Sequence, residues 1–271
     1  MVPEPTTHLN ILITGASSGL GAALAAAYAA SGVHLALLGR NEARLATVAD
    51  LCRAQGAEVT TACLDVRQTE ALAAWIRDLD QRHPLDLVIA NAGIASTIAD
   101  PHAGESWEAV RQVFDTNVLG ALATVHPALA GMRARGRGQI ALMSSLGAHI
   151  GMAISPAYNA SKAAIKVYGE GLRGWLAPQG IGVTVICPGF VASAMSDAYP
   201  GPRPFLVPAR RAAAIIKQGL AQNRPRIAFP LPLALGVWLL SILPLSLSLY
   251  LQRILGFAGP RPATENHTDE P

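Results

Sequence analysis

Between residues 9 and 229 short, continuous apolar runs alternate with helix-length segments of mixed polarity. The runs are LNILIT (9–14), VHLALL (33–38), EVTTACL (58–64), LDLVIA (85–90), GQIALMS (138–144), IGVTVIC (181–187) and RIAF (226–229). They are mostly rich in Val, Ile and Leu rather than strictly alternating, which suits strands covered on both faces, and the segments between them can hold crossover helices. The pattern predicts an α/β fold with a doubly wound, parallel, seven-stranded sheet of the Rossmann type. Residues 19–31 are mostly Ala and Leu and predict a deeply packed helix; residues 41–55 set charged against apolar positions and predict a surface helix.

The pattern changes after residue 228. Residues 227–252 carry no charge, and the first of them complete the last strand. Pro230 and Pro232 are expected to interrupt any helix starting there. That leaves residues 233–251, a stretch of 19 broken by Pro244. The expectation is a C-terminal apolar helical extension over 230–258, with two short helices around Pro244 within 233–255. A membrane span needs about 20 residues, so a single crossing is marginal. Two readings stay open: the helices dip into a membrane surface and favour a lipid-like substrate, or they cover the core or an oligomer interface. Residues 259–271, polar and Pro-containing, predict a flexible tail. No fixed-period repeat occurs, and no Gly/Ser or Pro linker before residue 196, so residues 1–229 read as one domain.

Composition narrows the class. Of 271 residues, 51% are hydrophobic and 14% charged, which excludes a disordered or collagen-like chain. The net charge of +3 is small and the basic residues are scattered, so no nucleic-acid partner is expected. The densest cluster, from Arg133 to Arg137, suits a solvated helix C-terminus complemented by positive charge. Cys52, Cys63 and Cys187 form no CxxC and cannot all pair, predicting buried, reduced thiols and a reducing compartment. The opening MVPEPTTHLN lacks the basic and apolar regions of a signal peptide. The expected location is cytoplasmic, with attachment at the inner face of a membrane if the apolar extension meets one. No metal site is expected.

Candidate chemistry begins after the first strand, at Thr14-Gly15-Ala16-Ser17-Ser18-Gly19-Leu20-Gly21. Glycines at a strand-to-helix turn permit tight geometry and let a pyrophosphate approach the helix N-terminal N–H groups. The second strand ends in Leu38-Gly39-Arg40, where NAD-binding enzymes commonly place an acidic residue for the ribose hydroxyls. Arg40 instead offers a guanidinium fork to a 2′-phosphate, which points to NADP(H) over NAD(H). Its alternative is a surface cation paired with Glu42 or solvated.

Ser145 closes the fifth run, and Tyr158-Asn159-Ala160-Ser161-Lys162 opens the next helix. Four residues apart, Tyr158 and Lys162 share one helix face, so the ammonium is expected to lower the phenol from its usual pKa of about 10. Such a phenol can exchange a proton with a substrate oxygen that Ser145 also holds. A serine hydrolase would need a GxSxG elbow with an acid and a His; Leu146-Gly147 supplies no elbow, and His149 reads as a pocket or loop residue.

From about residue 9 to 229 the sequence resembles the short-chain dehydrogenase/reductase family. TGASSGLG resembles its cofactor loop, Asp65-Val66 the pair that contacts adenine, and Asn91-Ala92-Gly93 the NAG turn supporting the central strand. The resemblance maps the family's catalytic groups onto Asn117, Ser145, Tyr158 and Lys162. It implies that Lys162 also binds the nicotinamide ribose and that Asn117 holds a relay water. It likens Pro188-Gly189, with Val191 and Ser193 beyond, to the nicotinamide-side loop. Ser193 stands where the family often has Thr, keeping the hydroxyl but losing the methyl that restricts its rotamer.

Cofactor contacts are thus expected at Gly15, Ser17, Ser18, Gly19, Leu20, Gly21, Arg40, Asp65, Val66, Asn91, Ala92, Gly93, Tyr158, Lys162, Pro188, Gly189, Val191 and Ser193. Residues 193–210 should form a substrate lid, with Met195, Tyr199, Phe205 and Leu206 suggesting an apolar pocket. The expected activity is NADP(H)-dependent hydride transfer involving a carbonyl or secondary alcohol, with reduction of an apolar or lipid-like ketone as the direction and a homo-oligomer as the assembly. Two alternatives remain: a catalytically silent, cofactor-binding scaffold, and a serine hydrolase.

Overall fold

The seven apolar runs become seven strands in a computed structural model that describes residues 9–98 and 103–257. They are β1 (Leu9–Thr14), β2 (Val33–Gly39), β3 (Glu58–Cys63), β4 (Leu87–Ala90), β5 (Gly138–Met143), β6 (Ile181–Pro188) and β7 (Arg226–Phe229). Every pairing is parallel, and the order is β3-β2-β1-β4-β5-β6-β7. The chain builds outward from β1 to β3, then returns to β1's other edge with β4. A ligand crevice opens at the carboxyl ends where the order reverses in this way.

Strand periodicity divides the core. On β1, Ile11 and Ile13 face one side and Leu12 the other. The first side is covered by α1 (Gly19–Tyr28), α2 (Glu42–Ala54) and α8 (Ala209–Ala221); the second by α3 (Thr69–Arg82), α5 (Gly120–Arg135) and α6 (Pro156–Leu176). Leu24, Leu45 and Ile216 cover the first face, and Leu72, Val125 and Ile165 the second, all essentially inaccessible to water. Each such side chain contributes about 1.5–3 kcal/mol of burial. The remaining helices are α4 (Trp107–Phe114), α7 (Ala194–Asp197), α9 (Leu231–Ile242) and α10 (Leu245–Ile254).

Several sequence expectations are corrected. The first helix stops at Tyr28, short of residue 31. Asn41 is the N-cap of α2, its Oδ1 accepting from Arg44 N at 2.9 Å. Pro230 and Pro232 do not interrupt a helix: Pro230 caps α9 and Pro232 lies in its first turn, where a missing N–H costs nothing. Arg135 is not merely solvated; its guanidinium pairs with Asp80 at 2.9 Å and donates to Leu85 O at 3.0 Å. Cys52 and Cys187 are buried, but Cys63 is exposed at the end of β3; all three are free thiols. The expected tail, 259–271, lies outside the described residues.

Candidate active site

The glycine turn is held by the end of β4. Thr14 Oγ1 accepts from Asn91 N at 3.1 Å and Ala92 N at 3.2 Å, and Asn91 Nδ2 donates to Thr14 O at 2.9 Å. Gly15 has φ +67°, and a Cβ there would lie 2.9 Å from Ala92 Cα. A Cβ on Gly21 would lie 2.2 Å from the Gly15 carbonyl oxygen. Only glycine allows the two turns to meet so closely. Ser18, the N-cap of α1, makes no side-chain cap bond, and Gly19, Leu20 and Gly21 line the cavity. The orphan N–H groups and positive dipole end of α1 are therefore available to an anion, which fits a dinucleotide pyrophosphate.

At the neighbouring end of the cavity stand Arg40, Arg44 and Arg67. Asp65 accepts from Arg67 Nη2 at 2.7 Å, Arg67 Nε at 3.1 Å and Arg67 N at 3.0 Å. These bonds outweigh partial burial and hold its carboxyl below the usual range. Arg40 lies 3.7 Å from Asp65 with its side chain 61% exposed. Arg67 therefore satisfies Asp65 and leaves Arg40 loosely held, rather than paired with Glu42. Val66 is buried beneath, against Gly120.

The opposite wall comes from β5 and α6. Pro156 occupies the first turn of α6 and fixes its φ, while the first-turn N–H of Ala157 donates to Glu105 Oε2 at 2.9 Å. The helix sets Tyr158 and Lys162 on the cavity side. Ser144 Oγ donates to Lys162 O at 2.8 Å, tying the strand end to the helix. Ser145 caps the short 3₁₀ turn Leu146–His149, its Oγ accepting from Gly147 N at 3.0 Å. Lys162 is 4% exposed; its Nζ donates to Met143 O at 2.9 Å and lies 5.7 Å from the Tyr158 ring centroid.

Burial brings Lys162 down to about 8 and pushes Tyr158 up, with the Ser145 hydroxyl pulling the phenol partly back. The expectation that Lys162 lowers Tyr158 is not met in this arrangement. The ammonium bonds a carbonyl instead of the phenol, and desolvation of the phenolate dominates.

Asn117 sits in a single π-helical turn, Asp115–Leu119, which turns it inward to 1% exposure. Its Oδ1 accepts from Ile94 N at 2.8 Å, and its Nδ2 donates to Ile94 O at 2.9 Å and Ser161 Oγ at 3.0 Å. The amide thus stitches the loop after β4 to α6, and both polar atoms have protein partners. His149 is absent from the cavity lining, so it supplies no base to Ser145.

These residues share one cavity of about 1440 Å³. Asn91, Ala92, Gly93, Pro188, Gly189, Val191 and Ser193 line it as expected; Asn117 lies behind Gly93. Ser193 Oγ is engaged as the cap of α7, accepting from Ser196 N at 3.3 Å and donating to Val191 O at 3.2 Å. Met195 and Tyr199 face the cavity, but Phe205 and Leu206 of the expected lid do not and are exposed.

Sequence reading missed the far wall. Leu233, Val237 and Leu240 of α9 and Leu251 of α10 line the cavity, and Leu233, Ala234 and Val237 pack on Leu146, Val185 and Cys187. Their spacing of one, three and four marks an inward face, a signal hidden because the outward face is also apolar.

Residues 9–201 match the family model for short chain dehydrogenase. The chain is similar to an uncharacterized oxidoreductase of Myxococcus xanthus (strain DK1622), at 39% identity over 239 residues, spanning 88% of this chain and 94% of that protein. It is similar to the ketoacyl reductase HetN of a Nostoc species, at 33% identity, spanning 69% of this chain and 64% of that protein. The crystal structure of a 3-ketoacyl-ACP reductase from Sinorhizobium meliloti 1021 matches with a TM-score of 0.73 at 26% identity, covering 83% of this chain and 99% of that one.

Proposed function

The chain belongs to the short-chain dehydrogenase/reductase family and is an NAD(P)-dependent oxidoreductase, and from that premise we propose that it uses NADP(H) to reduce the ketone of an apolar, lipid-like molecule. One observation carries the reading: Ser145, Tyr158 and Lys162 line the same cavity as the glycine cradle and the apolar wall of α9 and α10. A bound nicotinamide supplies the hydride. Ser145 and Tyr158 hold the substrate oxygen, and Tyr158, whose burial keeps the phenol protonated, donates its proton there. Lys162, which stands beside the Tyr158 ring, would hold the nicotinamide ribose. Asn117 fixes the loop after β4 against α6 so that the two walls keep register.

Preference for NADP(H) is supported by Arg40, Arg44 and Arg67 at the end expected to receive the adenosine ribose, where three cations face the single carboxylate of Asp65 and Arg67 already pairs with it, whereas an acidic residue in place of Arg40 would repel a 2′-phosphate. The apolar substrate is supported by the leucine-rich far wall, and a ketone by the two relatives named as ketoacyl reductases. Exposed Trp107, Leu119 and Val167, on α4, the π-helical turn and α6, support a homo-oligomer. The free thiols support a reducing, cytoplasmic setting. Among the described residues no helix is long and apolar enough to cross a membrane.

The test is a titration of purified protein with NADPH and NADH, followed by turnover of a panel of medium- and long-chain ketones by wild type and Tyr158→Phe. NADPH should bind more tightly, and the variant should keep binding while losing about 10²–10⁴-fold in turnover. Failure to bind either nucleotide, or unchanged turnover in Tyr158→Phe, would overturn the reading. Nucleotide binding without turnover of any ketone would favour the silent scaffold.

A further inference from the structure

α10 is inside out. Its buried positions are polar: Ser248 and Gln252, one helical turn apart, are 4% and 3% exposed, with Gln252 Nε2 donating to Ser248 Oγ at 3.3 Å. Apart from Leu251 on the cavity wall, its apolar side chains are largely exposed, Leu245, Tyr250 and Ile254 being at least 60% exposed. α9 has a packed inner face, yet Leu231, Leu235, Trp238, Leu239 and Ile242, at helical spacing on its outer side, are all more than half exposed. A helix that buries hydroxyl and amide while presenting leucine and aromatic rings is patterned for an apolar surrounding, and monomers in water rarely carry such a continuous patch.

Charge separates the two candidate surroundings. From residue 198 to 264 the chain has eight basic residues and no acidic one, although Arg203 and Arg226 are paired with Asp197 and Glu170 and Arg210, Arg211 and Lys217 ride on α8 over the other face of the sheet. Residues 1–197 have 13 basic and 15 acidic residues, and the last seven residues hold the remaining three acidic ones. Arg253 is exposed on α10 beside Ile254 and Leu255. On the patch itself Arg253 is the one charged side chain of α9 and α10, and no acidic residue stands in either helix to pair with it in a second copy docked through the same face, whereas an anionic lipid surface complements it. α9, at 12 residues, is about 18 Å long against a hydrocarbon core of about 30 Å, so it can lie in the interface but cannot cross. Leu239, Ile242, Ile254 and Leu255 are both exposed and cavity-lining, which places the cavity mouth within the patch.

We propose that α9 and α10 dock the protein on the surface of an anionic lipid bilayer, and that the cavity mouth they frame receives its ketone directly from the acyl region. The docking stands on the patch and the charge; the delivery of substrate rests on the reductase reading above.

Flotation of the full-length chain with phosphatidylcholine vesicles, with and without phosphatidylglycerol, tests it. Wild type should float with the anionic vesicles and be released by salt. Arg253→Gln should weaken partitioning about fivefold, and Leu235→Glu with Trp238→Glu at least about a hundredfold. Neither Leu235 nor Trp238 lines the cavity, so unchanged NADPH binding by the double variant reports an intact fold. No flotation of wild type, or equal flotation of the double variant, would overturn the proposal. So would a wild-type dimer that binds no vesicles and that the double variant splits, which would assign the patch to a second copy. Vesicle binding by a chain that binds no nucleotide would support the docking surface and remove only the reductase reading.

Discussion

Replacing Lys162 with Met should make the protein more stable at neutral pH while removing its activity. Lys162 is 4% exposed, and burial brings its pKa from 10.5 to about 8. Because the folded value lies below the unfolded one, the folded state bears the full cost of the buried ammonium below pH 8. That cost shrinks between about 8 and 10.5 and vanishes above. The displacement corresponds to about 3 kcal/mol at pH 7. Met keeps most of the volume and none of the charge, but leaves the Met143 carbonyl without the donor it has at 2.9 Å, a loss of about 1–2 kcal/mol. The net gain is about 1–2 kcal/mol, or about 2–6 °C in Tm for a chain of this size. Thermal melts of both proteins at pH 7 and pH 10, beside a turnover assay, read all three effects. The gap should close or slightly reverse at pH 10, where the remaining cost of the charge, about 1 kcal/mol, no longer exceeds that of the lost donor. A variant less stable at pH 7, or a gap independent of pH, would refute the reasoning, since either would mean that the ammonium is stabilised in place rather than merely tolerated.

Arg40→Ala should weaken NADPH about 10- to 100-fold, the worth of one charge-assisted fork, and leave NADH nearly unchanged; parallel nucleotide titrations check this, and an equal loss for both would remove Arg40 from phosphate recognition. Gly21→Ala would drive a methyl to 2.2 Å from the Gly15 carbonyl, so a destabilisation of about 3 kcal/mol or more is expected in denaturant unfolding, with loss of nucleotide binding; a variant that melts like wild type would show that the turn can open at little cost.

The five inner strands were legible because parallel strands buried on both faces must be nearly continuous apolar runs, and with the partly exposed edge strands β3 and β7 all seven runs agree with the structure within two residues at each end, LNILIT and RIAF fully. The site was legible where backbone demands left a mark in the sequence: glycines where no Cβ fits, and Tyr158 and Lys162 one helical turn apart. Less legible were contacts between distant segments. Nothing near Glu105 announces that its carboxylate meets the first turn of α6, and Asp65-Val66-Arg67 does not reveal that Arg67 occupies the carboxylate and releases Arg40. Helical spacing gives the proximity of Tyr158 to Lys162 but not the competing carbonyl of Met143, so it does not set the direction of the Tyr158 shift. Pro at a helix start and Pro within a helix look alike in a sequence until the cap is placed, which is why Pro230 and Pro232 open α9 where interruption is expected.

The reversal of strand order between β1 and β4 also partitions the labour of the molecule. Groups facing the adenosine end hang from β1, β2 and β3, and proton-handling groups from β5 and α6, joined through the paired backbones of β1 and β4, the Asn91 staple and the apolar cores on the two faces of the sheet. Changes far apart in a fold combine additively in free energy. Coenzyme choice and chemical step can therefore drift separately in descendants of this chain, so a lineage could exchange one nicotinamide currency for the other without relearning its proton and hydride chemistry.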